Sequence, residues 1–371
     1  MVLDSLDVNR WELGLERVRS AFAILGEPQK RYRTVLVGGT NGKGSTCVYL
    51  ERLLVDAGAA VGLNISPHVS RYGERFRLNG RSLNDSEAER LMLELQPRLG
   101  HLNLTYFEWC VVLAAELFAR AGVEVAIFEI GLGGRLDAAN AIDPELAIVT
   151  NVSLDHTDYL GDTIEAIALE KAQIARPGKL LLTSCEQPAL AVLSGTAAEL
   201  GAELRQVSAP QAGMASHQGL NAALALEACG ALGFTAPHPA WALATAFLPG
   251  RQERVGERLI MDVAHNPDAM ARLVERLEPG PYVGVVGILA DKDYAQMLAQ
   301  LSPVCERLYL TPLDSPRSWQ PAELADRWPQ AVICASPAAA FEQALATGRP
   351  IVITGSFLTV GSLREGIVCQ G

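Results

Sequence analysis

Short apolar runs punctuate the chain: Thr34-Val35-Leu36-Val37, Ala60-Val61-Gly62-Leu63-Asn64-Ile65, Val123 to Ile130, Leu146-Ala147-Ile148-Val149 and Leu180-Leu181-Leu182. They are apolar at successive positions rather than at every second one, which suits strands covered on both faces. Between them the spacing turns helical. Residues 10–25 carry Trp11, Leu13, Leu15, Val18, Phe22 and Leu25 as an apolar set, and Val48, Leu50, Leu53 and Leu54 repeat the pattern after the first strand. Further helices are predicted from Asp85, as cap, to about Arg98, over 105–121, from about Thr163, and near Pro188–Leu200. The second half alternates in the same style, with strands at Arg258–Met261, Tyr282–Val286 and Ile351–Ile353. Buried strands alternating with helices predict an α/β architecture, a parallel sheet with both faces covered.

A chain of 371 residues is too long for one compact core, so two domains are expected. Leu248-Pro249-Gly250-Arg251 reads as the linker, giving a larger domain over 1–249 and a smaller one over 250–371. A hydrophobic content of 49% with 20% charged residues describes a soluble globular protein. The net charge of −11 argues against nonspecific nucleic-acid binding, but leaves anionic small substrates open because local arginines can hold them. The apolar runs are too short for a membrane span. Met1-Val2-Leu3-Asp4-Ser5-Leu6-Asp7 lacks the basic and apolar regions of a signal peptide. The seven cysteines are dispersed with no C-x-x-C pair, which fits reduced thiols in the cytoplasm.

Gly38-Gly39-Thr40-Asn41-Gly42-Lys43-Gly44-Ser45-Thr46 joins the first strand to the helix after it. Strand, glycine-rich turn and helix start are the setting of a phosphate-binding loop. Glycines let the backbone wrap a phosphate, and N–H groups at the helix start point toward it. Lys43 adds positive charge, and Ser45 or Thr46 a hydroxyl for magnesium. The spacing departs from the common G-x-x-x-x-G-K-[ST] pattern: Val37 stands five positions before Gly42, and Gly44 separates Lys43 from Ser45. An ordinary glycine-rich turn is the plainer alternative.

Other unusual polar residues also stand just past predicted strands, the edge where open parallel sheets bind ligands. They are therefore expected to converge. Glu129 closes an apolar strand and suits a magnesium ion, the alternative being pairing to a nearby Arg or Lys. Ser66 could add a hydroxyl from the adjacent strand end. His156, beside Asp155 and Asp158, suits a structural loop as well as a ligand. Lys171 alone reads as part of a solvated helix face. Asp262 and His265 flank a tight turn at which Pro267 is suited to begin a helix and Asn266 to cap it.

In order, these motifs resemble the folylpolyglutamate synthase and dihydrofolate synthase family of the Mur ligase superfamily. The resemblance runs from Leu13-Gly14-Leu15-Glu16-Arg17 almost to the C-terminus. It includes Gly39 to Ser45, Ser66-Pro67-His68, Leu104-Thr105-Tyr106-Phe107-Glu108 and Glu129-Ile130-Gly131-Leu132-Gly133-Gly134-Arg135-Leu136-Asp137. It continues through Asp155-His156, Glu170-Lys171-Ala172, His217-Gln218 with Asn221-Ala222, and Pro249-Gly250-Arg251. Asp262 to Pro267 and Gly355-Ser356-Phe357 complete it.

The resemblance implies a phosphate-loop N-terminal domain, a smaller Rossmann-like C-terminal domain and an active site in the cleft between them. It implies an ATP-dependent amide ligase. A substrate carboxylate takes the γ-phosphate to form an acyl phosphate, and the amine of L-glutamate displaces phosphate. ATP, Mg2+, L-glutamate and dihydropteroate or folate are the implied ligands, and a cytoplasmic monomer is expected. Thr40, Asn41, Gly42, Lys43, Gly44, Ser45 and Thr46 would cradle the nucleotide, with Ser45 also on the metal. Ser66, Glu129 and His156 look like magnesium ligands. Lys171 matches a lysine often carbamylated in the superfamily, which would make it a carboxylate-like ligand for a second magnesium. Asn221, Arg251 and Asp262 look like the ATP-binding set. His265 and Ser356 match glutamate positions, and Phe107 and Asp137 fall where the pterin is expected. Lys43, His156, Lys171 and His265 are the catalytic candidates, and the Arg71–Arg77 loop would close over substrate.

The chain departs from the family between Lys171 and Asn221, where several small strands are usually inserted and this chain is short. Ser208-Ala209-Pro210-Gln211-Ala212-Gly213 has no strand pattern. That bears on the rim that selects substrate rather than on the catalytic cleft. The Leu104–Trp109 segment resembles that of bifunctional bacterial members, so both dihydropteroate and folate are expected acids. The alternatives are a paralogue acting on another acid and a nucleotide-binding regulatory protein without turnover. A simple phosphate-loop kinase would not need the second half.

Overall fold

The computed structural model describes residues 10, 12–208 and 216–368. Trp11, residues 209–213 of the irregular stretch, Cys369 and the side chain of His217 lie outside the described residues. The chain divides into two compact units, Met1–Phe247 and Leu248–Gly371.

The strands of the first unit are Arg33–Gly38 (β1), Val61–Asn64 (β2), Phe76–Leu78 (β3), Arg81–Ser82 (β4), Val125–Glu129 (β5), Leu146–Val149 (β6), Leu180–Thr183 (β7) and Glu203–Gln206 (β8), the apolar runs forming β1, β2, β5, β6 and β7. Their order in the sheet is β4-β3-β2-β5-β1-β6-β7-β8. From β2 to β8 every neighbouring pair is parallel. The β2–β3 and β3–β4 pairs are antiparallel, so the parallel sheet carries an antiparallel edge. The central strands β5 and β6 are wholly buried, and Leu36, Phe128 and Ala147 join Phe22, Val112 and Phe118 in one core. Burying a Leu or Phe side chain contributes roughly 1.5–3 kcal/mol, so this layer dominates the unit's stability.

The first helix is Glu16–Leu25, shorter than the 10–25 spacing suggests. The cap of helix Asp85–Leu99 is Asn84 rather than Asp85. The Glu87 carboxylate accepts the Asn84 N–H at 2.9 Å, while Asp85 accepts the Gly73 N–H at 2.6 Å. Helix Tyr106–Ala121 starts at a capping box: the Glu108 N–H donates to Thr105 Oγ1, and the Thr105 N–H to the Glu108 carboxylate.

The second unit contains Glu253–Val255 (β9), Leu259–Met261 (β10), Tyr282–Val286 (β11), Cys305–Leu310 (β12), Val332–Ile333 (β13) and Ile351–Thr354 (β14). Their order is β13-β12-β11-β14-β10-β9, parallel except for β9 against β10. Met270, Leu298, Leu310 and Val352 lie in its core. Among the described residues no helix is long and apolar enough to cross a membrane.

Candidate active site

Four neighbouring strands of the first sheet end on one edge, and their following residues meet there. The loop after β1 leads into helix Lys43–Asp56, with Gly42 left-handed at the turn (φ 82°). Its carbonyls are held by hydrogen-bond donors. Gly38 O accepts the Thr150 N–H at 3.0 Å. Gly39 O accepts from the ammonium groups of Lys43 and Lys171 at 3.1 and 3.0 Å. Thr40 O accepts from Lys43 at 3.0 Å, and Asn41 O from Thr150 Oγ1 at 2.7 Å. A loop whose carbonyls are satisfied elsewhere can offer its helix-start N–H groups to an anion. Gly44 and Thr46 are buried, whereas Ser45 is half-buried at the helix start. Thr46 Oγ1 is sealed inside without a partner among the described residues.

The segment after β6 braces this loop. Asn151 Oδ1 accepts the Asn41 N–H at 2.8 Å and Asn151 O the Thr40 N–H at 2.9 Å. Thr40 Oγ1 exchanges hydrogen bonds with the backbone of Ser153 at 3.1 and 3.2 Å. A side chain at Gly39 would put its Cβ only 1.9 Å from Thr150 Oγ1, so that hydroxyl occupies the space glycine leaves. Asn221, on helix Ser216–Ala231, crowds Gly42 in the same way, its Oδ1 2.5 Å from where a Cβ would stand. Sequence reasoning singled out neither Thr150 nor Asn151; their position directly after a buried strand beside β1 was the available signal.

Glu129 ends β5 in register with Val37 of β1 and is buried. Its carboxylate accepts the Ser66 N–H at 2.8 Å, just past β2. His156 follows β6 in a left-handed conformation (φ 51°), and its N–H donates to Asp155 Oδ1 at 2.9 Å. Among the described residues no three His, Cys, Asp or Glu side chains gather as a self-sufficient metal site. Magnesium does not require that: it keeps water and substrate phosphates and takes one or two carboxylates, a demand that buried Glu129 beside Ser66 fits.

Lys171 is not on a solvated face. It is 4% exposed, while its neighbour Glu170 turns outward to Arg135 at 2.9 Å. Burial lowers the Lys171 ammonium's pKa to about 7; Lys43 adds to the push, and Asp155, Cys185 and Asp137 oppose it.

Phe107 and Asp137 shape the Gly131–Asp137 loop. The Phe107 ring lies against Gly131, where a Cβ would sit 2.6 Å from its Cζ. The Asp137 carboxylate accepts the N–H groups of Gly131, Leu132 and Ala139 at 2.9, 2.9 and 3.0 Å. Burial raises its pKa to about 6 against those hydrogen bonds. The Arg71–Arg77 segment is not an open flap: Arg75 and Arg77 are buried, Arg75 donating to His68 Nδ1 at 2.8 Å and Arg77 pairing with Glu51 at 2.8 Å.

In the second unit Asp262 follows β10. It accepts the Gln252 and Ala264 N–H groups, both at 2.9 Å, and burial raises its pKa against the nearby Arg251 charge. His265 Nδ1 lies 2.9 Å from Val263 O. Asn266 caps helix Pro267–Val274 through the Ala269 N–H at 2.8 Å, as expected. Ser356 follows β14, buried, with its Oγ 2.7 Å from Thr359 Oγ1.

Comparison with known proteins accounts for both units. Residues 37–182 match the Mur ligase middle domain and residues 250–357 the Mur ligase, glutamate ligase domain. A phosphate loop on a parallel sheet, followed by a glutamate ligase domain, defines an ATP-dependent amide-forming ligase of the Mur class. The chain is 38% identical to the dihydrofolate synthase/folylpolyglutamate synthase of Escherichia coli (strain K12), over 98% of this chain and 94% of that protein. The chain therefore belongs to the dihydrofolate synthase/folylpolyglutamate synthase family. The E. coli FolC structure in complex with DHPP and ADP superposes with a TM-score of 0.90 at 36% identity, covering 99% of this chain and 96% of that one. A bifunctional folylpolyglutamate synthase/dihydrofolate synthase with Mn, AMPPNP and L-glutamate bound gives 0.89 at 36% identity, again over 99% and 96%.

Proposed function

We propose that the protein joins L-glutamate to dihydropteroate and to reduced folates, in the cytoplasm and as a monomer. Residues 1–249 bind ATP and the pterin acid, and 250–371 supply Arg251, Asp262, His265 and Ser356. An oxygen of the acid's carboxylate attacks the γ-phosphorus of ATP, the bond to the β-phosphate oxygen breaks, and ADP leaves. The glutamate amine then attacks the acyl carbon and phosphate departs. Lys43 and the N–H groups of Gly42 to Ser45 stabilise charge on the transferring phosphoryl group. Magnesium held by Ser45, Ser66, Glu129 and His156 would screen the triphosphate so that a second anion can approach. Phe107 and the loop held by Asp137 receive the pterin. Asn221, Arg251 and Asp262 hold the nucleotide, and His265 with Ser356 orients glutamate. Lys171, kept near neutrality by burial, is an amine suited to carbamylation.

What carries this reading is the phosphate loop's carbonyls, held by Lys43, Lys171 and Thr150 beside the Glu129–Ser66 pair. Its test is incubation with ATP, Mg2+, glutamate and either dihydropteroate or tetrahydrofolate. ADP release with a product one glutamate heavier is expected for both acids. Release with some other acid alone would favour the paralogue, and no release with any pterin would remove the proposal.

A further inference from the structure

Phe357 closes the Gly355-Ser356-Phe357 motif, of which only Ser356 has been assigned a ligand. It opens helix Phe357–Val368, past the end of β14. Ser356 turns inward, accepting the Thr359 N–H at 3.0 Å, and is 3% exposed. The Phe357 ring instead meets two site residues. The Arg251 guanidinium carbon lies 5.0 Å from its centroid, and the His265 ring centroid 5.5 Å away at 49°.

The two neighbours come from separate turns. Arg251 sits between Gly250, whose N–H donates to Glu253 at 2.8 Å, and Gln252, whose N–H donates to Asp262. His265 is tied to its own turn through Val263 O. Those contacts fix backbone; the rotamer freedom of a long arginine side chain costs binding energy when it is lost on binding. A guanidinium over an aromatic face loses that freedom in advance.

We infer that Phe357 is a positioning residue, one ring that pre-orders Arg251 for nucleotide and His265 for glutamate. The inference rests on the ligand assignments under Proposed function. It implies that a single aliphatic substitution weakens two chemically unrelated ligands together. A residue that only filled space would lower stability without selecting those two.

The test compares Phe357→Leu with Phe357→Tyr, which keeps the aromatic face. The readouts are kcat, the KM for ATP, for glutamate and for the pterin acid, and the melting temperature. Phe357→Leu is expected to raise the ATP KM on the order of two- to fivefold, the scale of one exposed cation–π contact, and the glutamate KM on the order of two- to tenfold, the scale of one aromatic pair. The pterin KM and the Phe357→Tyr values should stay near those of the parent. Phe357→Leu should have no further effect on the ATP KM in an Arg251→Ala background. Unchanged ATP and glutamate KM values in Phe357→Leu, or an equal loss in Phe357→Tyr, would overturn the inference. If Phe357→Leu does not fold, Phe357→Met takes its place under the same criteria. ADP affinity by calorimetry reads the Arg251 arm without turnover, so weakened ADP binding would support the inference even if no pterin acid proved to be a substrate.

Discussion

Lys43 and Lys171 donate to the same carbonyl oxygen, that of Gly39, at 3.1 and 3.0 Å. Two ammonium groups converge on one acceptor, and one of them is buried. The folded state therefore disfavours the Lys171 charge, moving its pKa from 10.5 to about 7. Below pH 7 both folded and unfolded chains carry that proton, and the burial penalty is fully present. As pH rises from about 7 toward 10.5 the folded protein releases the proton first, so its stability rises relative to a chain lacking the group. Lys171→Met should melt higher than the parent at pH 6 in CO2-free buffer, and that gap should shrink by pH 9. A gap independent of pH would contradict the burial assignment.

Glu129 closes β5 with its carboxylate on the Ser66 N–H, where the metal is proposed to sit. Glu129→Ala should lower kcat by about two to three orders of magnitude, as losing a preorganised electrostatic contact does. Its circular dichroism spectrum should stay that of a folded protein. Near-normal turnover would refute the metal assignment.

The hydroxyl of Thr150 holds the Asn41 carbonyl and fills the space beside Gly39. Removing one such bond costs about 0.5–1.5 kcal/mol. Thr150→Val should therefore weaken ADP binding roughly fivefold by calorimetry, and Thr150→Ser should restore most of it. Equal affinities for Val and Ser would show that the hydroxyl does not set the loop.

The interior of the fold was legible where the chain is apolar at successive positions. β2, β5, β6 and β7 lie where those runs stand, because strands covered on both faces need no polar alternation. Edges were harder to read. β8 is mostly exposed, and β12 buries only its last three residues, so neither shows an apolar run. The β3–β4 hairpin turns on Asn79 and Gly80, both left-handed, a dipeptide signal present in the sequence but masked by flanking arginines. The cap went to Asn84 because Glu87, three residues on, completes its box and Asp85 is claimed by Gly73. In the site, residues at strand ends could be named, but their mutual contacts could not. The Thr150–Gly39 fit depends on β1 pairing with β6 so that Gly38 meets Val149, which only the sheet register supplies. Lys171 read as solvated because one helix residue alone does not reveal which way its face turns.

The most direct measurement uses dihydropteroate labelled with 18O in its carboxylate, turned over with ATP and glutamate. Attack of that carboxylate on ATP predicts one labelled oxygen in the released inorganic phosphate for each amide formed. Amide formation with unlabelled phosphate would contradict the acyl-phosphate route.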